Sequence, residues 1–157
     1  MDAFVSRVLL IRHAEAGERR EWRGDDRLRP LTRPGRTQAR RLADALAGHH
    51  LDAVLTSGYD RCVQTVQPIA ARRRLAPEPA AWLEEGADPG AALAALLDLG
   101  DVLACTHGDV VSGILFELSD RGVDLGSSPR MQKGSTWVLE VEEGRVVSAH
   151  YVPPPPG

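Results

Sequence analysis

The apolar run at residues 8–11 of "VSRVLLIRHAEAGERREW" stops at Arg12 and His13, a permanent cation beside an imidazole. A buried strand needs neither group at its end. Comparable groups follow apolar stretches further along the chain. Arg61 lies one turn beyond "AVLTS", Glu84 and Glu85 follow the "WL" of "WLEEG", and Thr106, His107 and Gly108 close "VLACTHG". Gathered in one place, two imidazoles, two guanidinium groups and a carboxyl would surround a dianion and set a proton donor beside it.

Phosphoryl transfer needs such a set, because its loose transition state is stabilised mainly by positioning and by positive charge on the equatorial oxygens. Arginine suits that task through its planar, always-charged fork. A neutral imidazole whose second nitrogen is held by a hydrogen bond can attack phosphorus. On this reading His13 is the nucleophile and Arg12 and Arg61 clamp the phosphate. His107 binds phosphate oxygens together with backbone N–H groups at the helix start that Gly108 opens. Glu84 or Glu85 protonates the leaving alkoxide. Taken singly, each residue has a plainer use: a structural histidine, a solvated arginine, a surface acid before a loop. Lysine occurs once, as Lys133, and arginine supplies every other basic side chain, so an arginine is informative here only through its position. A zinc site from His13, His107 and an acid lacks an HExxH or any paired ligand spacing, and the arginines would repel the ion. No metal and no cofactor are expected.

Position depends on the elements. Residues 5 to 11 read as a strand covered on both faces. A charged excursion bounded by Gly and Pro follows. Thr32 and Pro34 then mark a helix that ends at Gly48. A second strand lies near 52 to 56, and Ser57 is expected to cap a helix that Pro68 kinks or shortens. An extended piece precedes "WLEEGADP", a helix runs from about 89 to 99, "DVLACTHG" forms a strand, and a helix covers about 109 to 121. "STWVLEVEEGRVVSAHYV" alternates on both sides of "EEGR", as in a closing hairpin. The expected fold is therefore α/β: a three-layer α/β/α sandwich with a mostly parallel central sheet and a C-terminal β-hairpin. It forms a single domain over 1–152, and 153–157 make a proline-rich tail with nothing to pack against. In such sheets the functional crevice lies beyond the carboxyl ends of the strands, where all the candidate residues fall.

Composition narrows the setting. The chain has 157 residues, with 19 basic and 22 acidic side chains for a net charge of −3, so neither nucleic acid nor a membrane surface is the expected partner. Cys62 and Cys105 show no ligand-like spacing and read as reduced core residues. No stretch approaches the roughly 18 apolar residues of a membrane span, and the start lacks the look of a secretory signal. Cytoplasmic location is the expectation. His49, His50 and His150 read as surface residues.

Together "LLIRHAEAG", "LTRPGRTQARRLADAL", "VLTSGYDRCVQTVQPIA" and "CTHGDVV" resemble, in order, the landmarks of the histidine phosphatase (phosphoglycerate mutase-like, RHG motif) superfamily, in its short bacterial phosphohistidine-phosphatase-type branch. Ala14 stands where the named motif has glycine. The resemblance implies that His13 is phosphorylated during turnover, that Arg12 and Arg61 clamp phosphate, that His107 is the second pocket histidine, and that the acid lies in "WLEEG", with Glu84 preferred over Glu85. "REWRGDDRLRPLT" and "KGSTWVLEVEEGRVV" further resemble the phosphatase domain that follows a Nudix hydrolase domain in some actinobacterial proteins. That kinship implies a nucleotide-derived phosphate, with Trp22, Arg23 and Lys133 as rim contacts, and makes a functional link to a Nudix hydrolase an expectation; Gly108 and Glu85 are further substrate-binding candidates.

The expected activity is metal-independent hydrolysis of a phosphomonoester through a phosphohistidine on His13, acting on a phosphorylated small molecule or a phosphoprotein. A phosphoglycerate mutase-like transfer and a phosphate-binding module without turnover are the alternatives.

Overall fold

Val8 and Leu10 enter one apolar core while Leu9 and Ile11 enter another, because successive side chains of a strand leave opposite faces. This first strand, β1 (Val5–Arg12), lies inside a six-stranded sheet of order β3-β2-β4-β1-β5-β6. The computed structural model describes residues 5–126 and 130–156. In chain order the other elements are α1 (Arg33–Ala45), β2 (Ala53–Thr56), α2 (Asp60–Arg72), β3 (Pro77–Pro79), α3 (Pro89–Leu97), β4 (Val102–Thr106), α4 (Gly108–Asp120), β5 (Thr136–Glu142) and β6 (Arg145–Val152). The first four strands pair in parallel, and the β5–β6 hairpin adds antiparallel to β1. The fold is the expected α/β sandwich with a mostly parallel sheet and a closing hairpin.

Helices α1 and α2 cover one face, through Leu42, Leu46, Cys62, Val66 and Ile69. Helices α3 and α4 cover the other, through Leu93, Leu96, Val110, Ile114 and Leu118. The helix after β1 thus goes to one side and the helix after β4 to the other. A crevice opens between the ends of these two adjacent strands, as expected where crossovers diverge.

Local chemistry starts α1 and α3 where the sequence indicates. The Thr32 hydroxyl accepts from the Gly35 N–H at 3.2 Å and the Asp88 carboxylate from the Ala91 N–H at 2.8 Å, and a proline follows early in each helix. Three expectations fail. Ser57 does not cap α2, which begins at Asp60 behind Tyr59; its hydroxyl is used at the site described below. Pro68 does not shorten α2, which continues to Arg72. Cys62 and Val66 before the proline and Ile69 and Ala70 after it are all buried, and that packing offsets the roughly 3 kcal/mol penalty of an interior proline. The tail is tied down: Gln38 and Arg41 of α1 donate to the carbonyls of Pro155 and Pro156 at 3.4 and 2.6 Å. Proline has lost its donor but keeps its acceptor.

Helices α3 and α4 approach closely only because Gly113 has no side chain; a Cβ there would lie 2.2 Å from Pro89 Cγ. Gly113→Ala should therefore lower stability. Overpacking costs about 1–3 kcal/mol, more than the roughly 1 kcal/mol of helix propensity that alanine brings. Urea unfolding checks this, and an unchanged or raised midpoint would contradict close packing at that point.

Candidate active site

Strand pairing brings the two histidines together. In the β1–β4 ladder Arg12 is opposite Thr106, so His13 and His107 are the first residues past the sheet on adjacent strands. The His13 N–H extends the ladder by donating to the Thr106 carbonyl at 3.1 Å. The two rings lie edge to face with centroids 5.5 Å apart. They line a cavity of about 490 Å³ together with Arg12, Arg61, Glu85, Gly108, Lys133 and others.

His13 is held in one tautomer. Its Nδ1 is 2.8 Å from the Ala14 carbonyl, which can only accept, so Nδ1 carries the hydrogen and Nε2 keeps a free lone pair. Burial pushes the imidazole down to about 3, against an upward pull from the Ala14 carbonyl and with further lowering by His107, Arg61 and Arg12. The free imidazole is neutral at ordinary pH.

His107 is the residue before α4, and no side chain caps that helix. The backbone donors of its first turn are left for a ligand. His107 Nε2 lies 2.9 Å from the Ser57 hydroxyl and 3.6 Å from the buried Cys62 thiol, while its Nδ1 is buried without a partner. The Ser57 oxygen accepts from the Tyr59 N–H at 3.2 Å. A hydroxyl that donates to Nε2 puts the hydrogen on Nδ1, ready for an anion.

Both guanidinium groups are aimed by protein acceptors. Arg12 donates to the Met131 carbonyl at 2.9 Å, and its fork lies against Gly108, where a Cβ would fall 2.9 Å from Arg12 Cζ. Arg61 has no solvent exposure. It donates to the Asp26 backbone carbonyl at 2.8 Å and to Asp26 Oδ2 at 3.0 Å, with Glu85 Oε2 at 3.6 Å. The Nε of each arginine is buried and unpartnered. Such atoms are costly to leave without a bond, and an oxyanion in the cavity would supply one.

Asp26 was not singled out in the sequence. It lies on a single helical turn of the charged excursion and also receives the Nε of buried Arg29 at 3.0 Å. Partial burial pushes its carboxyl up, but the bonds and charges of Arg29 and Arg61 hold it below the usual carboxylate range. Arg19, Arg29 and Asp109 of the cavity wall and Tyr59 were missed as well. The Tyr59 ring is 4.7 Å from the His107 ring and 4.9 Å from Arg61 Cζ. A capping-type aspartate before a short turn and an aromatic at a helix start carry no catalytic signature, so only the spacing "DDRLRPLT" could have drawn notice.

The adjacent glutamates separate. Glu85 lines the cavity and pairs with Arg19 and Arg61. Glu84 pairs with Arg27 at 3.2 Å and is not part of the cavity wall. Of the two glutamates it is therefore Glu85, not the preferred Glu84, that the turn after Leu83 directs into the cavity. The Gly86 N–H donates to Asp109 Oδ2 at 2.8 Å, fastening that turn to α4. Of the rim candidates, Lys133 lines the cavity, 3.5 Å from Glu15 Oε1. Trp22 does not; its Nε1 donates to the Asp25 carbonyl at 2.9 Å within its own loop. Arg23 is exposed and also lies off the wall. Cys62 and Cys105 are free and buried. No helix among the described residues is long and apolar enough to cross a membrane.

The family model of the histidine phosphatase superfamily (branch 1) matches residues 8–91. The chain belongs to this superfamily. It is 36% identical, over 155 aligned positions, to an 8-oxo-(d)GTP phosphatase of Mycolicibacterium smegmatis; the match takes in 94% of this chain and 48% of that relative. The chain thus spans about half the length of the curated relative it matches. Among solved structures it resembles the protein histidine phosphatase SixA complexed with tungstate, with a TM-score of 0.76 and 23% identity over 93% of this chain and 94% of that one. Bacillus stearothermophilus YhfR gives 0.71 and 22% over 89% and 93%. At these identities the solved structures speak for the histidine phosphatase fold.

The buried imidazole has a thermodynamic consequence. Folded His13 takes up its proton only near pH 3, whereas an unperturbed histidine does so near 6.5. Between these values the unfolded chain holds more protons, so stability falls as pH drops through that window and the contribution is complete above it. Denaturant unfolding at a series of pH values should give a flatter dependence between pH 6.5 and 3 for His13→Gln than for the parent. Identical slopes would mean that His13 is not the group responsible.

Proposed function

We propose that this chain is a phosphohydrolase that removes phosphate from a phosphomonoester through a covalent phosphohistidine on His13. The observation that carries the proposal is the free Nε2 of a neutral, tautomerically fixed His13, facing His107 at 5.5 Å in a cavity walled by guanidinium groups. Membership of the superfamily and the phosphatase names of its relatives support the same reading.

In the first step His13 Nε2 attacks phosphorus and the bond from phosphorus to the leaving oxygen breaks. Arg12, Arg61, His107 Nδ1–H and the first backbone N–H groups of α4 hold the three equatorial oxygens. Glu85 gives its proton to the departing alkoxide as the general acid. In the second step water attacks the phosphohistidine, its proton passes to the Glu85 carboxylate, and the nitrogen–phosphorus bond breaks to release phosphate and neutral His13. Asp26 and Ser57 act through Arg61 and His107 and touch no reacting atom.

A nucleotide-derived phosphate is the favoured substrate class within this proposal. The cavity is much larger than one phosphate, and the 8-oxo-(d)GTP phosphatase is similar along almost the whole of this chain. A functional link to a Nudix hydrolase belongs to the same proposal and rests on the motif likeness alone.

Purified protein should release phosphate steadily from an aryl phosphate, and His13→Ala should reduce release to background. Parent protein quenched in alkaline detergent during turnover should carry an acid-labile, base-stable phosphate. Tight phosphate binding without turnover would instead favour a binding module. Glu85→Gln should lower kcat by about 10²–10⁴-fold on an alkyl phosphate, the range for a lost general acid, and much less on a nitrophenyl ester whose leaving group needs no proton. Glu84→Gln should leave both rates near the parent values, and the opposite pattern would transfer the acid's role to Glu84.

A further inference from the structure

The phosphate site continues into a second cavity with different chemistry. A pocket of about 270 Å³, lined by Ser112, Leu115, Phe116, Ser119, Leu125 and Met131, shares Ser112 and Met131 with the cavity that holds His13 and His107. Phe116 is the most exposed large apolar side chain among the described residues, at 74%. Its place on α4 is not accidental with respect to the site. Gly108, Ser112 and Phe116 follow one another at four-residue spacing along one helix face. At 1.5 Å per residue Ser112 and Phe116 stand about 6 and 12 Å beyond Gly108 along the axis. Helical side chains lean toward the N-terminus, so the Phe116 ring leans back toward Ser112 and the phosphate end. Met131 joins the two regions, because its carbonyl receives Arg12 while the residue borders both pockets.

We infer that Phe116 and Met131 form the leaving-group subsite, an apolar ledge on which the base of a nucleoside diphosphate lies while His13 Nε2 attacks the terminal phosphorus, the phosphoanhydride bond breaks, and the nucleoside monophosphate leaves in place of an alcohol. This rests on the phosphatase reading above and adds the recognition element. The pocket suits one planar ring system. A protein partner would need about 800 Å² of surface on each side, far more than one phenylalanine and its neighbours present. A substrate reaching from His13 to Phe116 must be long, which favours a diphosphate linker over a monophosphate, and Lys133 and Arg19 in the wall of the first cavity can neutralise the second phosphate. The Ser112 and Ser119 hydroxyls on the same face offer hydrogen bonds to a sugar or a base edge. Trp22, the aromatic residue expected to serve a nucleotide, lines neither of these two cavities.

The test compares kcat/KM for adenosine and guanosine 5′-diphosphate with that for glycerol 3-phosphate, which has no ring to place. Phe116→Ala should lower the ratio of the better nucleotide to glycerol phosphate by about tenfold, the scale of losing one base–aromatic stack, and Phe116→Trp should restore it. An unchanged ratio, or a parent enzyme that hydrolyses glycerol phosphate but neither diphosphate, overturns the ledge and leaves the phosphatase reading standing. If the parent hydrolyses none of the three, the phosphatase reading falls for these substrates. Calorimetric titration of the two diphosphates then decides the ledge: about tenfold weaker binding to Phe116→Ala supports it, and equal or absent binding overturns it.

Discussion

The parallel pairing of β1 with β4 is the constraint on which the site depends. The ladder ends at Arg12 opposite Thr106, and one residue later two imidazoles emerge from neighbouring strands with the spacing of a sheet. A slip of one residue in that register would turn His13 or His107 into an apolar layer. The register is secured by the cores on both faces, since Val8 and Leu10 fit only one of them and Leu9 and Ile11 only the other. The position of His13 is thus a consequence of how the strand interior packs.

Charge at the site is stored in a low-dielectric setting and balanced locally. Arg61 is fully buried, and a buried cation persists only with acceptors around it. Asp26 and Glu85 provide them from two loops distant in sequence. These partners leave the Nε atoms of Arg12 and Arg61 and Nδ1 of His107 unsatisfied, so the protein arrives at the crevice with its donors already oriented. Preorganised donors of this kind need little rearrangement when charge develops on a substrate. The charged excursion after β1, which looks like solvated surface when read along the chain, is therefore part of the scaffold of the clamp.

Much of the architecture was legible because it follows from local rules. Thr32 and Asp88 announce helix starts through their side-chain oxygens, and "EEGR" announces the hairpin turn. Where the reading failed, the deciding contact came from elsewhere in the fold. Ser57 stands where a cap could be, but its oxygen is used two residues on and at His107. Pro68 should end a helix, yet buried side chains on either side hold α2 together. The prolines of the tail show no packing pattern of their own, but their carbonyls meet Gln38 and Arg41 on α1.

The sequence by itself determined the α/β alternation and the residues that end strands, and with the carboxyl-edge rule it pointed to the edge where Arg12, His13, Arg61 and His107 line one cavity, because strand periodicity and that rule act over a few residues or through topology alone. Only the tertiary structure decided that Glu85 and not Glu84 enters the cavity, that Asp26 holds Arg61, and that Trp22 stays off the cavity wall. Those outcomes depend on the direction of side chains in turns and on which loops meet in space, and a turn's neighbours belong to the whole fold rather than to any one segment.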